Sequence, residues 1–562
     1  MKKFVYLLLA FFVSMSTDAA VKDTFTIGDL TYTVLTEDGL SGTVSVKAVS
    51  EEISGKVVIP ETVTNNGVEY TVTQVAEKGF WKCKSMTSVK IPESVNYVGS
   101  FGFNGCEALD SLVFPNDDLT FSFWYPCQGC KNLTYVRLPE NLKRLSYFMF
   151  AECENLEAVR IPESCTNWDE YAFFRCYKLK EVNIPYGVTS LGMADFYECY
   201  ELEHLEIPPT VTYIGKQTFA RCKKLRTLSL PNSVTRFGWQ TFEECTLMKH
   251  LTFPSHLKNI KDGGCLENCS GLTEVTIPAN IDDFTYGLGY LSRLKSIFIM
   301  GDSIPTGIQY NSRKRYVTIY VKKSVFEEKY PSGTWNGYTV SYKIPVTLTH
   351  RYQTLCRDFD MDFSDETVTN GCKVYLASGI NASHTNVSVT PITYVPSRER
   401  ANEDGYTGMD TYNGVIIEGR PYTTYYYKIG ERDYSLGENQ EKLSEGQTNL
   451  LKGAFQELWA ETEEDEDGNR MLTYGLYDDK FRRYVSDGYI NYNKAYLRIP
   501  VGLSGKAKEF GFEGWESDGT ATSIDVNSLS MPKQSYYDLN GMVVKSPHKG
   551  IFISKGRKLI IR

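Results

Sequence analysis

The sequence predicts a mainly β protein: a repeat solenoid of about nine or ten coils of 23 residues, followed by an all-β, sandwich-like module. Three observations carry this. Pairs of an apolar residue and Pro recur in steps of 23 or 24, from Ile91-Pro92 to Ile277-Pro278. Cysteine keeps the same period at Cys83, Cys106, Cys130, Cys153, Cys176, Cys199, Cys222, Cys245 and Cys269. Beyond residue 345 the rhythm is gone, and short stretches rich in Tyr, Thr and Val are divided by Gly, Asn and Asp.

The chain has 562 residues, enough for several folding units. Residues 1–20 read as an export leader: Lys2 and Lys3, an apolar run over 4–13, then a small, polar stretch ending at Ala19 and Ala20. About ten apolar residues are too few to span about 30 Å of hydrocarbon, so no transmembrane segment is expected in the mature chain. With 69 acids and 60 bases the net charge is -9, and no basic stripe supports a nucleic-acid partner. Residues 21–58 alternate as antiparallel strands and form an N-terminal β cap.

Residues 59–300 form the solenoid. Three residues before the cysteine column stand Phe80, Phe103, Phe150, Phe173, Phe196, Phe219 and Phe242, with Cys127 and Leu266 in the other two units. Three residues after it stands Leu or Met, from Met86 to Leu272. Within one unit, Val182 and Ile184 alternate with Glu181 and Asn183, a short strand with one wet face. Pro185 cannot donate to a ladder and ends it. No unit can bury its apolar side alone, so the coils stack Phe on Phe and Cys on Cys.

The unit Phe-x-x-Cys-x-x-Leu-x-x-Val-x-Ile-Pro-x-x-Val resembles the BspA-type leucine-rich repeat of bacterial surface proteins, including those of Bacteroidetes. The resemblance implies a leucine-rich-repeat solenoid with a parallel sheet on one face. It also implies a surface protein that binds host proteins or adheres to cells. Residues 301–344, with a strand at 317–321, a helical turn at 325–330 and Trp335, are expected to cap the last coil. Residues 345–500 resemble a β module that follows such repeats. Residues 501–530 read as a linker. Residues 531–562 read as a small β tail with a turn at Asn540-Gly541, similar to tails that act as surface-sorting elements.

Fourteen cysteines in an exported chain invite a disulfide framework. Their period instead predicts a reduced ladder of buried thiols. Cys127 beside Cys130 and Cys265 near Cys269 suggest zinc only superficially, because four ligands are needed and stacked coils hold these pairs at separate heights. Asp358, Asp360, Asp362 and Asp365 hint at calcium, but Phe363 occupies the glycine position of the calcium loop. Alternation with Phe359 and Met361 predicts a strand with its acids facing water. No metal and no cofactor is expected.

The six histidines lack metal spacing, and no nucleophile elbow or phosphate loop is present, so no catalytic residues are assigned. The outward strand positions form two columns. From these the candidate binding face is Tyr135, Arg137, Arg160, Glu181, Asn183, His204, Glu206, His250 and Thr252. A secondary aromatic patch is Phe121, Phe123, Trp124 and Tyr125, where the third coil departs from its neighbours. The function expected is a secreted or cell-surface, non-catalytic adhesion protein, monomeric, outer-membrane associated or extracellular. Its partner would be an extracellular protein or polysaccharide, host-derived ones included. The rivals are a glycan-acting enzyme housed in 345–500 and a purely structural surface protein.

Overall fold

The computed structural model describes residues 23–395 except 227, 258–259, 261–263, 286, 289–290, 309–313, 358 and 381–385; residues 414–431; and, beyond them, strands between 451 and 561. The leader at 1–20, Asp358, the acidic run 463–467, most of 501–530 and the turn at 540–541 lie outside the described residues. No helix among the described residues is long and apolar enough to cross a membrane.

The chain starts with three antiparallel strands, Thr24–Ile27, Leu30–Asp38 and Ser41–Ala48. Alternation buries Tyr32, Val44 and Val46. The strand Ser41–Ala48 then pairs in parallel with Val68–Val75, which converts an antiparallel cap into a parallel stack. Each solenoid coil contributes to more than one ladder. On the strand face, Ser54–Val58 pairs with Ser85–Lys90, Ser111–Val113 with Tyr135–Arg137, and Ala158–Val159 with Glu181–Val182, all parallel. A second parallel ladder includes Ser190–Leu191, Tyr213–Ile214 and Arg236–Phe237.

The strand ladder does not stop at residue 300. It runs from His250–Thr252 through Glu274–Ile277 and Ser296–Ile299 to Thr318–Tyr320 and Tyr338–Ser341. The stretch expected as a cap therefore continues the stack, with shorter coils whose Phe and Cys columns have lapsed. The helix Lys323–Lys329 and the antiparallel pairing of Thr334–Trp335 with Tyr338–Ser341 end it.

The interior shows why the columns repeat. Phe173, Phe196, Phe219 and Phe242 are fully buried, with successive ring centroids 5.6, 5.6 and 5.7 Å apart and nearly parallel planes. The cysteines have a polar duty. The Cys176 thiol donates to the Phe150 carbonyl at 3.1 Å, Cys199 to Phe173 at 3.3 Å and Cys222 to Phe196 at 3.1 Å. Each thiol thus gives a second donor to a buried carbonyl of the coil before it, one that already accepts the amide of its own coil's cysteine at 3.1 Å. All fourteen cysteines are free thiols, and burial pushes Cys269 up to about 12.

Left-handed residues flank each repeated Phe. Around Phe196 they are Ala194 (φ 56°) and Glu198 (φ 60°); around Phe173 they are Tyr171 (φ 62°) and Arg175 (φ 59°). Such a backbone costs an L-residue about 1–2 kcal/mol. It is offset by hydrogen bonds along the stack: the amides of Ala194, Phe196 and Glu198 donate to Lys216, Thr218 and Ala220 of the next coil at 2.8, 2.9 and 3.0 Å. This third ladder runs through the turns that carry the repeated Phe.

One buried position departs from the apolar rule. Asp195 is fully buried, and its carboxylate accepts from the amides of Ala172 at 3.1 Å and Gly192 at 2.6 Å. Burial, only partly opposed by those two bonds, pushes its pKa up to about 8.

After the stack, two antiparallel sheets share one apolar core. One contains Ile344–Thr347, Thr424–Ile429, Met361–Asp362 and Tyr394–Val395. The other begins with Tyr352–Leu355, Val415–Glu418 and Lys373–Ile380. Val346 and Tyr427 of the first pack with Leu355, Val374 and Ile417 of the second, the sandwich arrangement expected. The strand Glu509–Phe512, within the stretch expected as linker, pairs with Lys480–Arg483 and belongs to the larger sheet. The expected run of solvent-facing acids is also corrected: Asp360 is buried and accepts from the Tyr394 hydroxyl at 2.7 Å. Asp365 instead caps the helix Glu366–Thr369 and pairs with Lys323 at 3.0 Å. Residues 512–562 form a separate compact unit, and its four described strands make one antiparallel sheet.

Two tests follow from this interior. Iodoacetamide under native conditions should label Cys372, the one thiol not fully buried, ahead of the ladder cysteines; a disulfide-linked peptide on non-reducing mass spectrometry would contradict the thiol ladder. Asp195, raised to about 8 in the fold against an ordinary 3.8, favours folding fully below pH 4 and loses that contribution as pH rises to 8. Asp195→Asn, neutral at every pH, should flatten the fall of Tm between pH 4 and 8.

Candidate functional site

The strand face is built by parallel register. Tyr135 pairs with Ser111 and Arg137 with Val113; Ala158 pairs with Glu181; His250 and Thr252 pair with Glu274 and Thr276. Alternation then places one side chain in and the next out along every strand.

The candidate residues divide by what they touch. Tyr135 is 56% exposed, and Glu181 and Glu206 are also exposed. Arg160 approaches Glu140 at 3.7 Å, with both side chains open to water, a pairing worth about 0–1 kcal/mol. These four side chains are accessible to a partner. Arg137 is committed to the stack: it donates to the Phe114 carbonyl at 2.7 Å and to Asp117 at 2.8 Å. Asn183 stands in for a ladder residue, accepting from the Ile161 amide and donating to the Ile161 carbonyl, both at 2.7 Å. His204 and Thr252 are half-buried.

At its far end the face is covered. His250 lies 3.3 Å from Glu274, which also receives the Arg357 guanidinium at 2.8 Å. Arg357 comes from the β module. It donates to the Tyr427 hydroxyl at 2.7 Å and lies 5.1 Å from the Phe298 ring. Phe298 stacks on Tyr320 at 5.2 Å and meets Phe359 of the module at 5.2 Å. Thr276, Phe298 and Tyr320 share one outward register position and are all buried. As an outward strand position Thr276 would face water, but it is buried beside Phe298 and Glu274, on which the module packs. Burial alone would push the Glu274 carboxyl up, but the charge of Arg357 and the hydrogen bond and charge of His250 outweigh it and hold the group down at about 2.

The aromatic patch also divides. Phe123 and Trp124 are 55% and 48% exposed, whereas Phe121 is partly buried edge-on against Phe114 at 4.8 Å. Tyr125 belongs to a longer feature. Phe101, Tyr125, Phe148 and Tyr171, all with left-handed backbones, stack at 5.0, 4.6 and 4.4 Å. Trp124 stacks on Tyr147 at 4.9 Å. The sequence holds a signal for this ribbon, since the four rings keep the spacing of the core columns two residues ahead of them.

A family model for the BspA type leucine rich repeat region matches residues 73–200 and 189–312, with six copies. Residues 73–312 are a BspA-type leucine-rich repeat region. Among solved structures, the chain is similar to the pneumococcal vaccine antigen PcpA, at 20% identity over 57% of this chain and 99% of that one, with a TM-score of 0.35. It is similar to a leucine-rich repeat protein from Bacteroides ovatus at 18% identity, over 53% and 100% of the two chains, with a TM-score of 0.28. It is similar to a leucine rich cell surface protein from Faecalibacterium prausnitzii at 20% identity, over 55% and 98%, with a TM-score of 0.32. No curated protein matches the chain. The BspA-type repeats account for the Phe, Cys and Leu columns, while Arg357 and its contacts come from the chain after them.

Glu274 contributes stability that is present above its ordinary value of 4.5 and lost as pH falls through about 2. Arg357→Ala should leave its charge without its main partner and cost about 3–5 kcal/mol at neutral pH. Thermal melts at pH 7 and pH 3 would check this: the loss in the variant should be smaller at pH 3.

Proposed function

We propose that this is a secreted or cell-surface binding protein that recognises an extracellular protein or glycan through the open part of its solenoid strand face, without catalysis. The observation that carries the reading is the contrast along that face. Its last strands are sealed by the module through Arg357, Phe359 and Tyr427. Its middle strands present Tyr135, Arg160, Glu181 and Glu206 to solvent.

Those side chains suit recognition. Tyrosine offers a large rigid surface with a polar tip, and arginine a planar fork of donors; both are enriched where binding energy concentrates. Neighbouring coils hold them on a rigid parallel ladder, so little ordering is required when a partner docks. BspA-type repeat proteins are typically found at the cell surface, which supports the localisation.

An array of extracellular matrix proteins and glycans, probed with the full chain, tests the reading. Tyr135→Ala and Arg160→Ala are each expected to weaken the strongest interaction by about tenfold, about 1.4 kcal/mol. Glu328→Gln, on the helix Lys323–Lys329, should leave it unchanged. Binding unaffected by both face variants would overturn the assignment of the face.

A further inference from the structure

The aromatic ribbon lies on a different ladder from the strand face, and its chemistry repeats. Arg144 lies over the Phe123 ring at 4.9 Å and pairs with both oxygens of Asp169 at 2.8 and 2.9 Å. Arg175 lies over Phe174 at 4.9 Å and pairs with Glu198 at 3.1 Å. Arg221 lies over Tyr197 at 5.6 Å and pairs with Glu198 at 2.9 Å. Three times, then, a guanidinium rests on a ring and is held by a carboxylate one coil away or nearer.

Glu170 breaks the pattern. Burial and then its charge raise the Tyr171 hydroxyl, and it contributes likewise at Tyr147; the Phe148 amide donates to its backbone carbonyl at 3.2 Å. The ladder sets it beside Phe148 and next to Tyr171, yet among the described residues no Lys or Arg pairs with it. Burial, with the charge of neighbouring Asp169, holds its carboxyl above the ordinary range, which is the behaviour of a partly desolvated acid without a cation.

The backbone points the same way. Phe101, Tyr125, Phe148 and Tyr171 adopt left-handed conformations that bulky residues avoid. Equivalent positions in other coils carry Lys78, Ala194, Gln217, Gln240 and Gly264. The four rings remain half-exposed, while their backbones are held along the stack as in the other coils, the Tyr125 amide donating to Tyr147 and the Tyr171 amide to Met193, both at 3.0 Å. Mutual stacking holds the four rings in one row. What sets these coils apart is a row of rings left open to solvent where the others carry small or polar residues, a surface suited to binding.

We propose that Glu170, with Trp124, Tyr125, Tyr147, Phe148 and Tyr171, is a second docking site, one that takes a basic segment of a protein partner. An arginine of that segment would lie against the exposed rings and pair with Glu170, repeating what Arg144 does with Phe123 and Asp169. The inference rests on the solenoid being a binding scaffold, but not on the strand face being its surface.

The test uses fluorescence polarisation of a labelled hexa-arginine peptide with the full chain at about 0.15 M salt. Binding is expected to favour hexa-arginine over hexa-lysine by several-fold, because the planar guanidinium both stacks and chelates. Glu170→Gln and Tyr147→Ala should each weaken it by about tenfold. Glu328→Gln, which removes the same charge elsewhere, and Tyr135→Ala, on the strand face, should not. No binding, equal losses in Glu170→Gln and Glu328→Gln, or equal affinity for the two peptides would overturn the site. Loss in Tyr135→Ala alone would return binding to the strand face. Because Glu170→Gln is nearly isosteric, an unchanged melting temperature separates a lost contact from a lost fold.

Discussion

Axial repetition is the constraint on which everything else depends. A coil in this solenoid has no interior of its own; its core is the coil above and the coil below. Phe196 therefore meets Phe173 and Phe219 at 5.6 Å, and truncating it would leave a void on both sides. The same repetition solves the polar problem. Carbonyls beside the Phe stack accept a second bond from cysteine thiols of the next coil, and left-handed turns aim alternate amides along the axis. Cysteine is the small residue that packs like an apolar side chain and still donates, so the stack can keep a column of thiols without using them as crosslinks.

Repetition also organises the surface. Charges of opposite sign alternate one coil apart: Arg175, Glu198, Arg221 and Glu244 form one linked row, and Lys84 with Glu107 belongs to another. Each exposed pair is worth little, but a row of them penalises any slip of one coil against the next. Where an inward position must fit its neighbours, an outward one needs only to be compatible with them. Outward columns can therefore vary, and they carry the tyrosines, arginines and exposed rings on which a binding role rests.

The β module changes what the solenoid can present. Without it, Thr276, Phe298 and Tyr320 would form an apolar extension of the strand face. Arg357 converts that end into an interface, placing one guanidinium between the Glu274 carboxylate, the Tyr427 hydroxyl and two aromatic rings. A buried charge held from three sides fixes orientation more than it adds stability. The open part of the face is thereby confined to earlier coils.

The sequence by itself determined the coil. Spacing alone assigned Phe, Cys and Leu to the interior, ended the strand at the Pro and separated Glu181 from Val182, because a one-dimensional stack turns periodicity directly into contact. It also foretold an all-β module, from strand-length stretches between turn residues. Only the tertiary structure decided which outward residues remain outward. Arg137 and Asn183 look free along the chain, yet they are bound to carbonyls and amides 22 or 23 residues away. Thr276 looks exposed and is buried, beside a Glu274 that meets Arg357 more than eighty positions later. Glu170 looks like any surface acid, and only the rings brought beside it distinguish it. Contacts that follow the period are legible in one dimension; contacts made across it depend on where the chain returns.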